Sequence, residues 1–100
     1  MTITRIKIPQ KKIAEYCQKN QIKRMAFFGS VLREDFSPES DLDILVVFEP
    51  TAKVSFITLG KMKRELSKIF NRPIDLVPQD GLKPAIRESV LSSAMEVYAS

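Results

Sequence analysis

Histidine is missing from this chain altogether, and that absence excludes more chemistry than any other feature of its composition. Without it there is no Ser-His-Asp triad, no His-ligated zinc and no imidazole general base. Whatever chemistry exists must run on carboxylates, hydroxyls, Lys, Arg and a metal. Cysteine occurs once, as Cys17, so no internal disulfide can form. Its position within a helical pattern reads as a small buried thiol rather than a reactive one. No apolar stretch approaches the length of a membrane span, and Asp41 and Asp43 interrupt the best candidate. The start, Met1 to Lys7, lacks the long apolar segment of a secretory signal, so a cytoplasmic location is the default expectation. Repeats, low-complexity tracts and interdomain linkers are also lacking, and residues 1–100 are expected to form one domain.

What is present is the composition of a folded chain: 44% hydrophobic residues with 28% charged ones is too apolar for a disordered segment. Net charge is +4, with an isoelectric point near 9.4, but the excess is spread out. Residues 1–50 hold eight Lys/Arg against seven Asp/Glu, and residues 51–100 hold eight against five. The mild clusters Lys11-Lys12, Lys23-Arg24 and Lys61-Met62-Lys63-Arg64 space as solvated faces, compatible with attraction to polyphosphate or an acidic protein surface. A duplex-DNA reader would carry a denser basic stripe, so stable DNA binding is not expected.

The apolar pattern predicts helices and short strands in the order helix–strand–strand–helix–strand–helix. Pro9 opens a helix whose apolar face is Ile13, Tyr16 and Cys17, running to about Asn20. A first strand runs from Ile22 to Phe28 and stops at Gly29, and a short helix is expected to begin at Ser30 to Leu32. Ser37 to Ser40 is loop chemistry. The second strand, Asp41 to Phe48, is apolar on both faces at its centre, as a buried central strand would be. Ser55 is placed to cap a helix carrying Leu59, Met62, Leu66, Ile69 and Phe70, which Asn71-Arg72-Pro73 breaks. Ile74 to Val77 forms a third strand ending at Pro78. The last helix opens near Pro84, with Ile86, Val90, Ala94 and Val97 at helical spacing. The fold class is therefore α/β (α+β), a small mixed sheet flanked by helices.

The chemistry concentrates in one constellation. Phe28-Gly29-Ser30 ends the first strand, and Asp41-Leu42-Asp43 begins the second. Side chains alternate along a strand, so Asp41 and Asp43 are expected to point the same way, about 6.5–7 Å apart. Two such carboxylates repel unless a cation sits between them, and Mg²⁺ is the economical occupant, since it commonly brings a nucleotide's phosphates. Gly29 suits a sharp turn or a close backbone approach, and Ser30 adds a hydroxyl. An ordinary strand-to-helix turn would be the better reading of a Gly-Ser pair alone. The Asp-x-Asp beside it shifts the reading to phosphoryl or nucleotidyl transfer, in which metal ions clamp the attacking and leaving oxygens. A two-metal site needs a further carboxylate, and Asp75 is the candidate, flanked by the core residues Ile74 and Leu76. An outward polar residue on an edge strand is the plain alternative for Asp75. Glu34, Asp35 and Glu39 read as solvated loop residues, and Asp80 before Gly81 as turn chemistry. Arg33 could steady a triphosphate or pair with Glu34 or Asp35, and the pairing is slightly favoured.

At these residues the chain resembles the minimal nucleotidyltransferase family of the DNA polymerase β nucleotidyltransferase superfamily. That family's signature is Gly-Ser, roughly ten residues, Asp-x-Asp, and a third acidic residue on a later strand. Gly29-Ser30, Asp41-Leu42-Asp43 and Asp75 fit it, and the likeness extends to Arg33, Ser40 and the stretch from Ile86 to Leu91. Many members carry Gly after the Arg, where this chain has Glu34, a change that leaves the carboxylates untouched. The resemblance implies a polymerase β-like nucleotidyltransferase fold with Asp41, Asp43 and Asp75 as metal ligands and catalytic residues. Gly29, Ser30, Arg33 and Ser40 would bind the nucleotide. It also implies Mg²⁺ as cofactor, in a two-metal site, and an NTP, expected to be ATP, as substrate. Small stand-alone members look like antitoxins that transfer AMP to a tyrosine of a HEPN-type ribonuclease toxin. One hundred residues leave little room for an acceptor-binding domain, so a partner protein or an oligomer is expected to supply the acceptor. Two other functions stay open: steric masking of a toxin without catalysis, and nucleotidyl transfer onto a small molecule or an RNA end.

Overall fold

The computed structural model describes residues 8–29 and 40–100. Helix α1 spans Gln10–Lys19, with Pro9 at its N-cap and the Ile13 amide donating to the Pro9 carbonyl at 2.9 Å. Pro suits that position because its missing N–H is one the first helical turn would leave unpaired anyway. Ile13 and Cys17 are fully buried on the helix's inner face, as their spacing predicts. Asn20 closes the helix, its side-chain amide donating to the Tyr16 carbonyl at 2.9 Å.

Strands β1 (Ile22–Phe28) and β2 (Leu42–Phe48) pair antiparallel, and β2 starts one residue later than the apolar pattern suggested, leaving Asp41 outside it. Helix α2 (Phe56–Phe70) follows, capped by the Ser55 hydroxyl, which accepts from the Thr58 amide at 3.2 Å. Asn71 ends α2 in the left-handed conformation, φ 55°, a region Asn tolerates better than most residues. Strand β3 (Ile74–Pro78) then pairs parallel with β2, so β2, α2 and β3 form a βαβ unit. A single 3₁₀ turn, Gln79–Gly81, leads to α3 (Pro84–Ser93) and strand β4 (Met95–Ala99).

Strand β4 corrects the expectation that helical spacing continues through Ala94 to Val97. The Ser93 hydroxyl donates to the Ser89 carbonyl at 2.9 Å, and Ala94 turns extended at φ −64°, ψ 142°. Met95–Ala99 then pairs antiparallel along the free edge of β1. An unpaired edge strand leaves its N–H and C=O groups without ladder partners, and β4 supplies them. The sheet order is β3-β2-β1-β4.

Alternation along the strands divides the core in two. Met25, Phe27, Leu42, Ile44, Val46 and Ile74 pack with α1 and α2, where Phe27 and Phe70 meet edge-to-face at 5.5 Å. On the other face Ala26, Leu45 and Leu82 are buried, with Val90, Leu91 and Ala94 packed over them. Each fully buried aliphatic side chain contributes roughly 1.5–3 kcal/mol, so the α1/α2 face holds most of the stability. The thinner α3 face is the one on which residues 43 and 75 lie, since each adjoins strand neighbours that point into the other core. Among the described residues no helix is long and apolar enough to cross a membrane.

Candidate active site

The parallel register of β2 and β3 sets Asp43 directly opposite Asp75. Residues so paired share a sheet face, and neighbouring strands lie about 4.8 Å apart. The two carboxylate-bearing positions are thus brought side by side from thirty-two positions apart in sequence, which alternation within one strand could not foretell. Asp43 is half-buried and Asp75 exposed. On the opposite flank of β2, Phe28 pairs with Asp43, so Gly29 follows directly beside it. Gly29 has φ +71°, and a Cβ there would overlap Asp43 Oδ2 and stand 3.1 Å from its Cγ. Both conditions require glycine: positive φ, and no side chain where a carboxylate already stands.

Asp41 is exposed and lies one residue before β2, so the two-residue period that would aim it alongside Asp43 stops short of it. It lines a groove with Lys63, Arg64, Ser67 and Lys68 of α2 and with Pro73 and Ile74 at the start of β3. The segment before β2 is held from that side. Arg72 Nη1 donates to the Ser40 carbonyl at 3.4 Å, and the Leu42 amide donates to the Pro73 carbonyl at 2.9 Å. The Ser67 hydroxyl in turn donates to the Arg72 carbonyl at 2.8 Å, tying the break after α2 to the strand start. Ser40 enters this network through its backbone.

Among the described residues, no three carboxylates converge into a ready-made cation cage. The arrangement is an adjacent pair, Asp43 and Asp75, with Asp41 at the strand end. Hard carboxylate oxygens without any His or Cys form a donor set that fits Mg²⁺ and disfavours softer metals. Ser30 and Arg33 lie outside the described residues. In sequence Arg72 reads only as part of a helix break, and Lys63 and Arg64 as part of a mild basic cluster on a solvated face, without Lys68 and without their place in a wall beside Asp41. The signal for the wall was the basic cluster around Lys63, but a helix surface of that spacing carries no indication of what it faces.

Gly29 thus stands beside a carboxylate pair carried on adjoining strands. Residues 10–97 match the family described as nucleotidyltransferase domain. This chain belongs to that family. The nucleotidyltransferase domain here is 31% identical over 97 residues to the Methanocaldococcus jannaschii protein MJ0435, covering 97% of this chain and 99% of the relative. It is 30% identical over 76 residues to the protein adenylyltransferase MntA of Thermococcus cleftensis, covering 76% of this chain and 75% of that protein. Its fold is that of the MNT antitoxins. One is solved with a tri-AMPylated HEPN toxin of Shewanella oneidensis, and it superposes with a TM-score of 0.66 at 18% identity, over 91% of this chain and 70% of that one. The domain is an enzyme of the nucleotidyltransferase class, with the minimal nucleotidyltransferase fold expected from Gly29-Ser30 and the three aspartates.

Proposed function

We propose that this nucleotidyltransferase transfers AMP from ATP to a hydroxyl, a tyrosine, of a HEPN-type toxin, and so acts as the antitoxin of a toxin–antitoxin pair. The observation that carries the reading is the register of Asp43 on Asp75 beside Gly29, which groups a carboxylate pair with a turn that requires glycine. The similarity to MntA, and to the fold of an MNT antitoxin bound to an AMPylated toxin, supports the chemistry and the kind of acceptor.

In this reading Asp41, Asp43 and Asp75 hold Mg²⁺, which when bound supplies charge stabilisation to the phosphoryl oxygens as negative charge builds there. Gly29, Ser30, Ser40 and Arg33 contribute to holding the nucleotide at the turn that ends β1. Asp75 is the most exposed of the adjacent pair and takes the proton of the acceptor hydroxyl. The hydroxyl oxygen bonds to the α-phosphorus, the bond from that phosphorus to the bridging oxygen breaks, and pyrophosphate leaves with the electron pair. Asp43 does not move in this step: its carboxylate fills the space above Gly29, which fixes its position.

Transfer of label from α-labelled ATP to a co-expressed HEPN-type toxin, in the presence of Mg²⁺, tests the proposal. Asp43→Asn is expected to reduce transfer by about 10²–10³-fold or more, the scale seen when one element of transition-state charge stabilisation is removed. Transfer by Asp43→Asn within a few fold of the parent chain would refute the role given to Asp43. Neutralisation of the toxin by a variant with all three aspartates changed to Asn would instead favour steric masking.

A further inference from the structure

We infer that the groove between α2 and the start of β3 receives an acidic peptide segment flanking the acceptor hydroxyl of the protein substrate. The inference rests on the adenylyl-transfer reading and adds to it the chemistry by which the acceptor is recognised. In-line displacement places the nucleophile and the leaving group on opposite sides of the phosphorus. Gly29, the phosphate side, stands at the end of β1, and Asp43 stands on β2. Pyrophosphate therefore leaves toward β1, and the acceptor approaches from the β3 side, where Asp75 lies. Among the described residues, strand β3 is an edge of the sheet.

At the same sheet edge, on the α2 face and reaching the strand starts through Asp41, lies a groove of about 410 Å³ whose α2 wall carries Lys63, Arg64 and Lys68 and whose rim is Asp41. All three cations are exposed. The sole acid of α2, Glu65, is on another face of the helix, where Oε1 accepts from the Tyr16 hydroxyl at 2.9 Å. The helix therefore sets no carboxylate of its own against this wall. Three like charges on one wall attract anions, steer an acidic segment toward the strand ends and repel a basic one, though each exposed pair is individually weak. Among the described residues the lining holds no aromatic side chain on which a nucleic-acid base could stack, which favours a peptide over single-stranded RNA. Arg72, bonded to the Ser40 carbonyl, joins this cationic side to the segment that carries Asp41.

Two fluorescent peptides test the inference on the full chain at low ionic strength, with neither ATP nor Mg²⁺ present. One has a tyrosine between glutamates, and the other has serines in place of the glutamates. The acidic peptide is expected to bind, and Lys63→Glu/Lys68→Glu is expected to weaken it by about tenfold or more. The matched change on α1, Lys11→Glu/Lys12→Glu, is expected to weaken it by no more than about twofold, and both variants should bind a fluorescent ATP analogue as the parent does. Equal binding of the serine peptide would overturn the inference. So would equal weakening by the α1 variant, which would mean a diffuse net-charge effect, or loss of ATP-analogue affinity in the groove variant, which would make the groove a triphosphate site. Tighter, groove-dependent binding of an RNA oligonucleotide of the same charge would overturn it too. Lys63→Ala/Lys68→Ala, with helicity checked by circular dichroism, must show the same direction of change. Because the readout is binding, failure of AMP transfer with this peptide preference intact would count against the proposed reaction and not against the groove.

Discussion

Gly29 leaves β1 at φ +71°, and the space where its side chain would stand is filled by the Asp43 carboxylate. Two independent constraints therefore fall on one residue. An L side chain at that φ costs roughly 1–2 kcal/mol, and the added methyl must also displace the carboxylate or the backbone carrying it. Gly29→Ala is accordingly expected to lower stability in urea by about 1–3 kcal/mol and to reduce AMP transfer by about a hundredfold, because misplacing a reacting-site group by an ångström has that effect. Stability within about 0.5 kcal/mol of the parent would show that the turn relaxes without strain. The glycine was conspicuous in sequence, where it ended an apolar run, and its functional meaning came from the Asp-x-Asp downstream. That Asp43 itself occupies the vacancy was invisible there, because strand register depends on contacts across the sheet.

Among the elements, those with two kinds of local signal stand where the sequence placed them. Strand β1 has an apolar run and a terminating glycine, and α2 has a Ser55 cap and an Asn71 stop. Strand β4 had one signal only, an apolar spacing that a helix could equally satisfy, and the decision fell to the open edge of β1. The α1–α2 contact carries a property that sequence did suggest, the burial of Cys17. Burial pushes its thiol from 9.0 up to about 12. Burial, and next its hydrogen bond to Glu65, likewise raise the Tyr16 phenol above its ordinary value. In both cases the protonated form is favoured in the folded chain, while the unfolded chain releases its protons at ordinary values. The unfolded state then binds fewer protons at high pH, so stability falls as pH rises. Urea melts are expected to give constant stability from about pH 7 to 8.5 and a decline that begins near pH 9, the ordinary thiol value. Cys17→Ala should be less stable throughout yet hold its plateau to about pH 10, where the Tyr16 phenol takes over. An unchanged onset near pH 9 in that variant would remove Cys17 as the cause.

At the scale of the whole molecule, the two faces of the sheet divide the work. Among the described residues the α1/α2 face buries most of the apolar side chains, while the α3 face buries Ala26, Leu45 and Leu82 and carries Asp43 and Asp75 at its strand ends. Like charges opposed on neighbouring strands work against a sheet, which bears on the pairing of Asp43 with Asp75. A bound cation reverses that sign, and any ligand that prefers the folded state stabilises it by about 2.7 kcal/mol at a hundred times its Kd. For a chain of this length that is a rise in Tm of about 10 °C or more with saturating Mg²⁺ and ATP. Asp75 is exposed, and changing it to Asn removes one charge of the pair while keeping the shape. Asp75→Asn should therefore melt slightly higher than the parent chain in EDTA, yet gain much less from Mg²⁺ and ATP. The curves of the two proteins would cross as metal is added, with the parent lower in EDTA and higher when loaded. A variant that melts lower than the parent in EDTA would mean that Asp75 supports the folded strand, and repulsion between Asp43 and Asp75 would then be the wrong account of this edge. Crossing curves would instead show a site whose charges oppose the empty fold and are stabilised by the ligand it holds.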